Sequence, residues 1–298
     1  MQHKFISALL LLLCAACAVP NSTPNSTPSS QLVAVNPAYS VQYLQLPGPL
    51  RAVLVKVDLT QPKVQVEVAL ANPDDPDGDG PSVGQLDFPS HVARQHDYAI
   101  TLNASFFATP IATTPDGRKL SYFAGNGGYP VGWHYSGDRL VSAPTKDSLR
   151  ATLVVDRDGK LSLHRELMRM PARTQFAVSG NAMVLEHGVI TTTDQGTRHP
   201  RSSVGLSADA KTLYLLAIDG RAADYSIGAS LWEVAKIMQE AGAHDAINLD
   251  GGGSTAMIIK DPTSGKYVVA NRPSDRAGVD VSAANERAVI DVIGVRLQ

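Results

Sequence analysis

The sequence predicts an α+β fold in which a mixed, mostly antiparallel sheet with a few helices forms a single domain. Two observations carry this prediction. Short apolar runs recur between Gly, Pro, Asn and Asp turns, which is typical of strands, and only residues 230–242 show a strong helical period. The chain has 298 residues, enough to bury a sizeable core as one large domain or as two small ones.

Strands and one helix are predicted in the N-terminal half of the domain. Apolar runs predict strands at residues 53–58, 64–70 and 98–102. Between the last two, residues 82–96 are predicted as a helix that Pro89 weakens, because proline removes a backbone donor.

The middle of the chain, residues 125–190, is rich in predicted strands. Turn signals recur there at residues 137–138, 158–159 and 187–188. Further strands are predicted at residues 203–206, 213–218, 246–249, 257–259 and 289–295. The first two of these flank Asp209 and therefore predict a hairpin.

The best helical signal follows that hairpin. Ser230 and Glu233 have the spacing of a capping box, and Gly242 is a stop signal. Apolar residues recur between them at helical spacing, at Leu231, Val234, Ala235 and Met238.

The first 18 residues predict a signal peptide. Lys4 precedes an apolar run, residues 5–13, that is too short to span a bilayer. Residues 13–17 resemble a bacterial lipoprotein box in which Cys17 is lipidated; ordinary cleavage after Ala18 is the alternative. We therefore expect a lipoprotein of the bacterial cell envelope, facing the periplasm or in the outer membrane, and otherwise a secreted protein. The lipid would be its only membrane contact.

Residues 19–37 predict a disordered tether, because two Asn-Ser-Thr-Pro repeats and further serines cannot build a core. The globular domain is predicted over residues 38–298. It has no cysteine, since Cys14 and Cys17 both lie in the signal segment, so its stability must come from core burial. The net charge of −2 gives no indication of a nucleic-acid partner.

The most informative motif is Asn248-Leu249-Asp250-Gly251-Gly252-Gly253-Ser254. Consecutive glycines destabilise any helix or strand, so such a run indicates positive φ or a close backbone approach beside Asp250. A hairpin loop with a solvated aspartate is the alternative.

Three polar residues share one property: Asn103, Asp219 and Asp250 each follow an apolar strand, where functional groups are often held by a rigid scaffold. The predicted hairpin brings Arg201 near Asp219, so Arg201 and Arg221 could flank one carboxylate. A structural ion pair at a sheet end is the alternative.

These residue types suit a phosphodiester ligand. The planar guanidinium makes paired charge-assisted bonds to such an anion, and the glycine loop could add backbone N–H donors. The loop lacks the lysine of a phosphate-binding P-loop. It also lacks the helix after Ser254 that a nucleophile elbow needs, which argues against a serine hydrolase.

The glycine motif resembles the signature of the phosphodiester glycosidase family. Further blocks that resemble the family, in its order, are residues 103–107, 201–205, 218–221, 271–275 and 286–289. Ala104 and Ser105 stand where the family has two glycines. The resemblance implies a single catalytic domain that hydrolyses a carbohydrate phosphodiester, similar to a GlcNAc-1-phosphodiester, in envelope or extracellular glycans. A polysaccharide-binding or assembly lipoprotein without activity is the alternative.

The resemblance also implies a set of site residues. Asp250 is the first choice for the carboxylate that activates water or stabilises the oxocarbenium ion, and Asp219 is a second carboxylate or a metal ligand. Glu286 is the third, unless it only pairs with Arg287. The predicted substrate-binding residues are Asn103, Arg201, Arg221, Asn248, Gly251, Gly252, Gly253, Ser254 and Arg287.

One segment has half of a calcium-binding pattern. Asp75, Asp77 and Asp79 alternate as in the first half of a calcium loop, but Leu86 stands where the final glutamate should be. Calcium is the one candidate cofactor, with a solvated acidic loop as the alternative. The histidines show no metal-ligating spacing.

Overall fold

A computed structural model describes residues 29–145, 150–274 and 285–298. Within these ranges the chain forms 23 β-strands and two α-helices, numbered below in chain order. Every strand pairing recorded there is antiparallel. The prediction of an antiparallel sheet in a single domain is confirmed, but the fold is mostly β rather than a balanced α+β mixture.

The largest sheet has eight strands in the order β1-β2-β3-β19-β18-β20-β16-β17. They are β1 (Ser29–Asn36), β2 (Tyr39–Leu46), β3 (Leu50–Asp58), β16 (Ala182–Glu186), β17 (Val189–Ile190), β18 (Arg201–Leu206), β19 (Thr212–Ile218) and β20 (Asp245–Asn248). The predicted hairpin is β18–β19, in which Arg201 is opposite Ile218. Asp219 and Asp250 both follow strands of this sheet.

A second sheet has five strands in the order β22-β21-β6-β23-β4. They are β4 (Val64–Leu70), β6 (Ile100–Asn103), β21 (Met257–Lys260), β22 (Tyr267–Val269) and β23 (Asp291–Leu297). The glycine motif joins the two sheets, because it connects β20 of the first to β21 of the second.

A third sheet, in the order β12-β11-β15-β13-β14, contains β11 (His134–Ser136), β12 (Arg139–Ser142), β13 (Thr152–Asp156), β14 (Leu161–His164) and β15 (Thr174–Ser179). The three turns predicted in this region join β11–β12, β13–β14 and β16–β17. Short strands complete the fold: β5 (Gly84–Gln85), β7 (Phe107–Ala108), β8 (Ala112–Thr113), β9 (Lys119–Leu120) and β10 (Gly127–Pro130).

Helix α2 (Leu231–Ala241) begins and ends as predicted. The Ser230 side chain accepts from the Glu233 amide, and the Glu233 carboxylate accepts from the Ser230 amide. Gly242 ends the helix in the left-handed conformation. Helix α1 (Pro89–His96) is shorter than predicted, because proline fits the first turn of a helix and not its interior.

The main core lies between the three large sheets, and a second core lies between the first sheet and α2. Strand β19 serves both, since Leu213 and Leu215 belong to the first core while Leu216 and Ile218 pack with α2. Successive residues of a strand point to opposite faces, so a strand buried on both faces is apolar throughout. The described helices include none that is long and apolar enough to cross a membrane.

Strand β1 occupies the second half of the stretch whose composition predicts a tether, residues 19–37. Its backbone pairs with β2 from Ser29 opposite Gln45 to Asn36 opposite Tyr39, so residues 29–36 form the edge strand of the largest sheet. Residues 19–28 and the predicted signal peptide, with Cys17, lie outside the described residues.

Candidate active site

The backbone of Asp250 is held by hydrogen bonds to Asn103 and Ala104, at the end of strand β6. The Asp250 amide donates to the Ala104 carbonyl (2.9 Å), and Asn103 Nδ2 donates to the Asp250 carbonyl (2.7 Å). Asn103 Oδ1 accepts from Ser202 Oγ (2.6 Å) and from the Ala256 amide (3.2 Å). Asn103 is predicted as a substrate-binding residue, but its side chain is only 1% exposed and bonds within the protein. It therefore positions Asp250.

The glycines permit close contacts, as the sequence predicts. A Cβ on Gly251 would lie 2.5 Å from the Pro200 carbonyl oxygen. Gly252 has φ +62°, and a Cβ there would lie 2.8 Å from Arg221 Nη2. The loop amides bond internally, however: Gly251 N–H donates to Asp250 Oδ1 and Gly252 N–H to the Pro200 carbonyl, both at 2.9 Å. These two amides are therefore paired within the protein, and substrate binding by the glycine loop stays a prediction.

Asp250 has unusual electrostatics. Burial raises the pKa of Asp250 to about 6, and the charge of Asp291 acts in the same direction. A hydrogen bond from Ser254, the charge of Arg287 and the Gly251 amide oppose this rise. Arg287 Nη1 lies 3.5 Å from Ser254 Oγ, so these two predicted substrate-binding residues are beside the carboxylate. A carboxylate that changes charge near neutral pH is suited to acid–base chemistry.

A second buried carboxylate near Asp250 is missing from the predicted set. Asp291, at the start of β23, is 0% exposed and accepts from the amide (2.8 Å) and hydroxyl (2.5 Å) of Ser105. His134 Nδ1 lies 2.8 Å from Asp291 Oδ2, the oxygen that also accepts from the Ser105 hydroxyl. The signal in the sequence is an aspartate within the apolar run 289–295. Ser105, which departs from the family's glycine, supplies two of the hydrogen bonds.

Asp219 is held by three donors. Its Oδ1 accepts from the Arg272 amide (2.7 Å) and from Asn271 Nδ2 (3.2 Å), and its Oδ2 accepts from the Tyr225 hydroxyl (3.0 Å). Burial raises the pKa of Asp219, and these donors counteract part of that rise. Asp219 thus ties β19 to the block at residues 271–274; Asp275, the last residue of the predicted block, lies outside the described residues.

A cavity of about 280 Å³ adjoins Asp219 and is lined by Arg221, Tyr225 and Arg272 among others. The Tyr225 ring lies between two guanidinium groups, 4.8 Å from that of Arg51 and 4.9 Å from that of Arg272. Burial and the neighbouring Asp219 raise the pKa of Tyr225 to about 12, so its hydroxyl remains a donor. Two cationic side chains, Arg221 and Arg272, and one carboxylate, that of Asp224, line the cavity.

The cavity adjoins the glycine loop. Arg221 lines the cavity and packs against Gly252, and Ser274 Oγ of the cavity wall lies 3.4 Å from the Gly252 carbonyl oxygen. Asp250 is two residues before Gly252 and is not itself one of the lining residues. The carboxylate and the cationic cavity are thus neighbouring parts of one region.

Arg201 differs from its prediction. Its backbone is opposite Ile218 as expected, but its Nε donates to the Ala229 carbonyl (3.0 Å) and its Nη2 to the Thr197 carbonyl (3.4 Å). Burial lowers the pKa of Arg201. These bonds hold the backbone around β18, and the prediction that Arg201 flanks the Asp219 carboxylate stays a prediction.

Two further predicted residues lie in the interior. Glu286 is 1% exposed, and its Oε1 accepts from the Ser90 amide (2.8 Å) at the N-terminus of α1, where backbone donors lack helical partners. Asn248 Nδ2 donates to Asn181 Oδ1 and to the Leu249 carbonyl, both at 2.8 Å. Glu286 thus caps α1, and Asn248 joins β20 to Asn181. The predicted catalytic role of Glu286 and the predicted substrate contact of Asn248 stay predictions.

The acidic loop binds its own backbone. Asp75 Oδ1 accepts from the Asp77 amide (3.1 Å) and the Gly78 amide (3.0 Å), and Asp77 Oδ2 accepts from the Ser82 amide (3.3 Å). Asp79 is exposed in the same loop. These contacts are those of a turn, and they favour the solvated acidic loop over the calcium loop.

The fold is similar to those of several solved structures. One is the catalytic domain of zebrafish N-acetylglucosamine-1-phosphodiester alpha-N-acetylglucosaminidase, auto-inhibited by its pro-peptide: TM-score 0.58, 18% identity, covering 91% of this chain and 89% of that one. A hypothetical protein from Synechocystis has TM-score 0.58 and 15% identity over 92% of this chain and 64% of that one. A Burkholderia pseudomallei protein has TM-score 0.56 and 17% identity over 83% and 74%. These likenesses show a shared fold.

The sequence itself identifies the family. The family model described as phosphodiester glycosidase matches residues 98–296, which is more than half of the chain. The chain therefore belongs to the phosphodiester glycosidase family, as its motifs indicate. No curated protein matches it.

Proposed function

We propose that the protein hydrolyses the glycosidic bond of a sugar-1-phosphodiester, similar to a GlcNAc-1-phosphodiester, in envelope or extracellular glycans. The observation that carries this proposal is Asp250, whose pKa burial raises to about 6 beside a cavity rich in arginine. A carboxylate in this range exchanges a proton near neutral pH, and the cations complement a phosphodiester.

Asp250 acts as the base that activates water, or as the charge that stabilises the oxocarbenium ion. With a pKa of about 6 it is mostly ionised at neutral pH, which either role requires. A phosphate monoester is a good leaving group, so the demand for a general acid is smaller than in ordinary glycosides. The Ser254 hydroxyl and the charge of Arg287 hold the carboxylate.

Arg221 and Arg272 bind the charge of the phosphodiester. Both line the cavity, whose volume of about 280 Å³ is at the lower end of the range for small-molecule sites. Guanidinium groups bind phosphate through paired N–H donors. Asp219 is a positioning residue in this scheme, because it fixes the Arg272 backbone and the Tyr225 hydroxyl.

The test is incubation of the protein with a panel of sugar-1-phosphodiesters in ¹⁸O-labelled water. We expect free sugar that carries the label at C1, with unlabelled phosphate monoester as the other product. Label in the phosphate would mean that the P–O bond breaks. Saturable binding without turnover by the folded protein would instead support the non-catalytic polysaccharide-binding alternative.

A serine hydrolase remains disfavoured by the local structure. Ser254 ends a 3₁₀ turn (Gly252–Ser254) and is followed by strand β21 rather than by the helix of a nucleophile elbow. Its hydroxyl is engaged with Asp250 and Arg287. Ser254→Ala should therefore keep far more activity than Asp250→Asn.

Secretion and lipid anchoring are also proposed, on the basis of the lipoprotein box that ends at Cys17. Cys17→Ser should move the protein from the membrane fraction to the soluble fraction. Unchanged fractionation, with cleavage mapped after Ala18, would instead identify an ordinary signal peptide.

A further inference from the structure

A group of metal-ligating side chains lies at the opposite end of β20 from the glycine loop. His187, His244 and Asp245 each offer one ligand atom, and these atoms all lie within 4.8 Å of one another. His187 is in the β16–β17 turn, and the other two precede or begin β20. Spacing along the chain could not reveal this group, because the two histidines are 57 positions apart.

The backbone already holds the two segments together. The His187 amide donates to Asp245 Oδ1 (2.7 Å), and the Gly188 amide donates to the His244 carbonyl (2.7 Å). Strands β16 and β20 also pair directly, with Leu185 opposite Ala246. The ligand atoms are therefore carried by a rigid scaffold, which reduces the ordering cost of binding an ion.

We propose that His187, His244 and Asp245 bind one divalent transition-metal ion, with Zn²⁺ as the best match. Two imidazole nitrogens and one carboxylate oxygen form a ligand set that zinc prefers, with a fourth position for water. The ion stabilises the hairpin against β20, and it is independent of the proposed hydrolysis.

The distances fit this ion after a small movement. Ligand atoms of a tetrahedral zinc site lie about 3.3 Å apart, given bonds of about 2.0 Å. His244 Nδ1 lies 2.8 Å from Asp245 Oδ2, and His187 Nδ1 lies 3.7 Å from the other oxygen, Oδ1. One ligand atom from each residue lies within 4.8 Å of the others, so the group closes by up to about 1.5 Å around the ion. The His187 side chain is 81% exposed, so its ring can rotate towards the other two. Binding of the ion replaces the hydrogen bond between His244 Nδ1 and Asp245 Oδ2, and any proton on Nδ1 is released to solvent.

The site is remote from the candidate active site. Asp245 begins β20 and Asp250 lies two residues beyond its end, so the strand alone separates them by roughly 10 Å at the usual strand rise. Loss of the metal should therefore leave turnover of a phosphodiester unchanged. This separation makes failure of the metal proposal distinguishable from failure of the proposed function.

The experiment is calorimetric titration of the untagged full chain with zinc chloride, together with melting curves. We expect one zinc ion per chain and a higher melting temperature with zinc, since the ion binds the folded state. The affinity should fall about tenfold or more in each of His187→Ala, His244→Ala and Asp245→Asn, because each removes a direct ligand. Asp245→Asn keeps an oxygen that can accept from the His187 amide.

The matched control is His91→Ala. His91 Nδ1 also pairs with a carboxylate, that of Asp87 at 2.9 Å, and it lies outside the proposed ligand group. We expect this variant to bind zinc like the wild type. Absence of binding by the wild type, or equal binding by wild type and His187→Ala, would overturn the proposal. Equal binding would assign the ion to other groups, such as the thiols of Cys14 and Cys17.

Discussion

Asp250 and Asp219 occupy equivalent places in the large sheet, yet their surroundings differ. Each follows a strand, and burial raises the pKa of each. The Asp219 carboxylate is 3% exposed and accepts from three donors, two of them from residues 271–272. Asp250 is more exposed and is held by Ser254 and its own loop.

The comparison indicates that position at a strand end does not by itself define a catalytic residue. A carboxylate that accepts from several fixed donors contributes to structure, whereas one with fewer such bonds can exchange protons. By this criterion we propose Asp250 as the reactive carboxylate, and Asp219 as the residue that organises the cavity beside it.

The largest expected effect is the loss of turnover in Asp250→Asn. A catalytic carboxylate contributes about a hundredfold or more, so kcat should fall by at least that factor while the circular dichroism spectrum stays unchanged. In Asp219→Asn we expect a rise in KM of about tenfold or less with kcat retained, because its role is positioning. Equal losses of kcat in the two variants would remove the distinction between them.

The same Asp250→Asn substitution should stabilise the protein in a pH-dependent way. The pKa of Asp250 rises from 3.8 to about 6 on folding, so the folded state binds its proton more tightly than the unfolded state. As the pH rises from about 4 to 6, the wild type should lose up to about 3 kcal/mol of unfolding free energy relative to the variant. Urea unfolding at several pH values measures this difference. A constant difference would contradict the raised pKa.

Arg221→Lys tests the cationic cavity. Lysine keeps the charge but loses the paired donors, so kcat/KM on phosphodiesters should fall. The loss of transition-state stabilisation should be about 1.5 to 3 kcal/mol, the range for hydrogen bonds to charged groups. Arg201→Lys is the control, because the Arg201 side chain bonds to backbone carbonyls. Arg201→Lys should change the melting temperature while kcat/KM on phosphodiesters changes little. A greater loss of kcat/KM in Arg201→Lys than in Arg221→Lys would support the prediction that Arg201 binds the phosphodiester.

The smallest effect is expected in Tyr225→Phe, which removes one of three donors to Asp219. We expect a loss of about 1 kcal/mol in unfolding free energy and a modest rise in KM. Tyr267→Phe is the matched control, since its hydroxyl donates to Asp97, whose side chain is 66% exposed. Tyr267→Phe should lose less unfolding free energy than Tyr225→Phe. A larger loss in Tyr267→Phe would contradict the inference that burial makes the hydrogen bond from Tyr225 to Asp219 the stronger one.

Local sequence signals predicted much of the fold. The capping box at Ser230 and the hairpin around Asp209 depend on residues within a few positions of one another, and both are present. The helix before His96 is too long in the prediction, because local periodicity could not identify β5 at Gly84. Short-range patterns therefore locate elements better than they locate boundaries.

The candidate site depends on contacts between distant segments, and these could not be predicted from local patterns. Asp250 and the glycine loop were recognisable as a motif, but the contact of Glu286 with α1 joins residues 196 positions apart. Asp291 and His134 meet across 157 positions, and nothing local marks them as partners. The side-chain direction of Arg201 likewise depends on Ala229, which no pairing of β18 and β19 specifies.

The most direct test of the account is the dependence of kcat/KM on pH for a sugar-1-phosphodiester. The substrate keeps its single negative charge over the relevant range, so the profile reports the free enzyme. We expect the logarithm of kcat/KM to rise with unit slope against pH below about 6. It should level off above that pH, where Asp250 is ionised. A rate that does not depend on pH between about 5 and 7, or one that falls as Asp250 ionises, would contradict Asp250 as the reactive carboxylate.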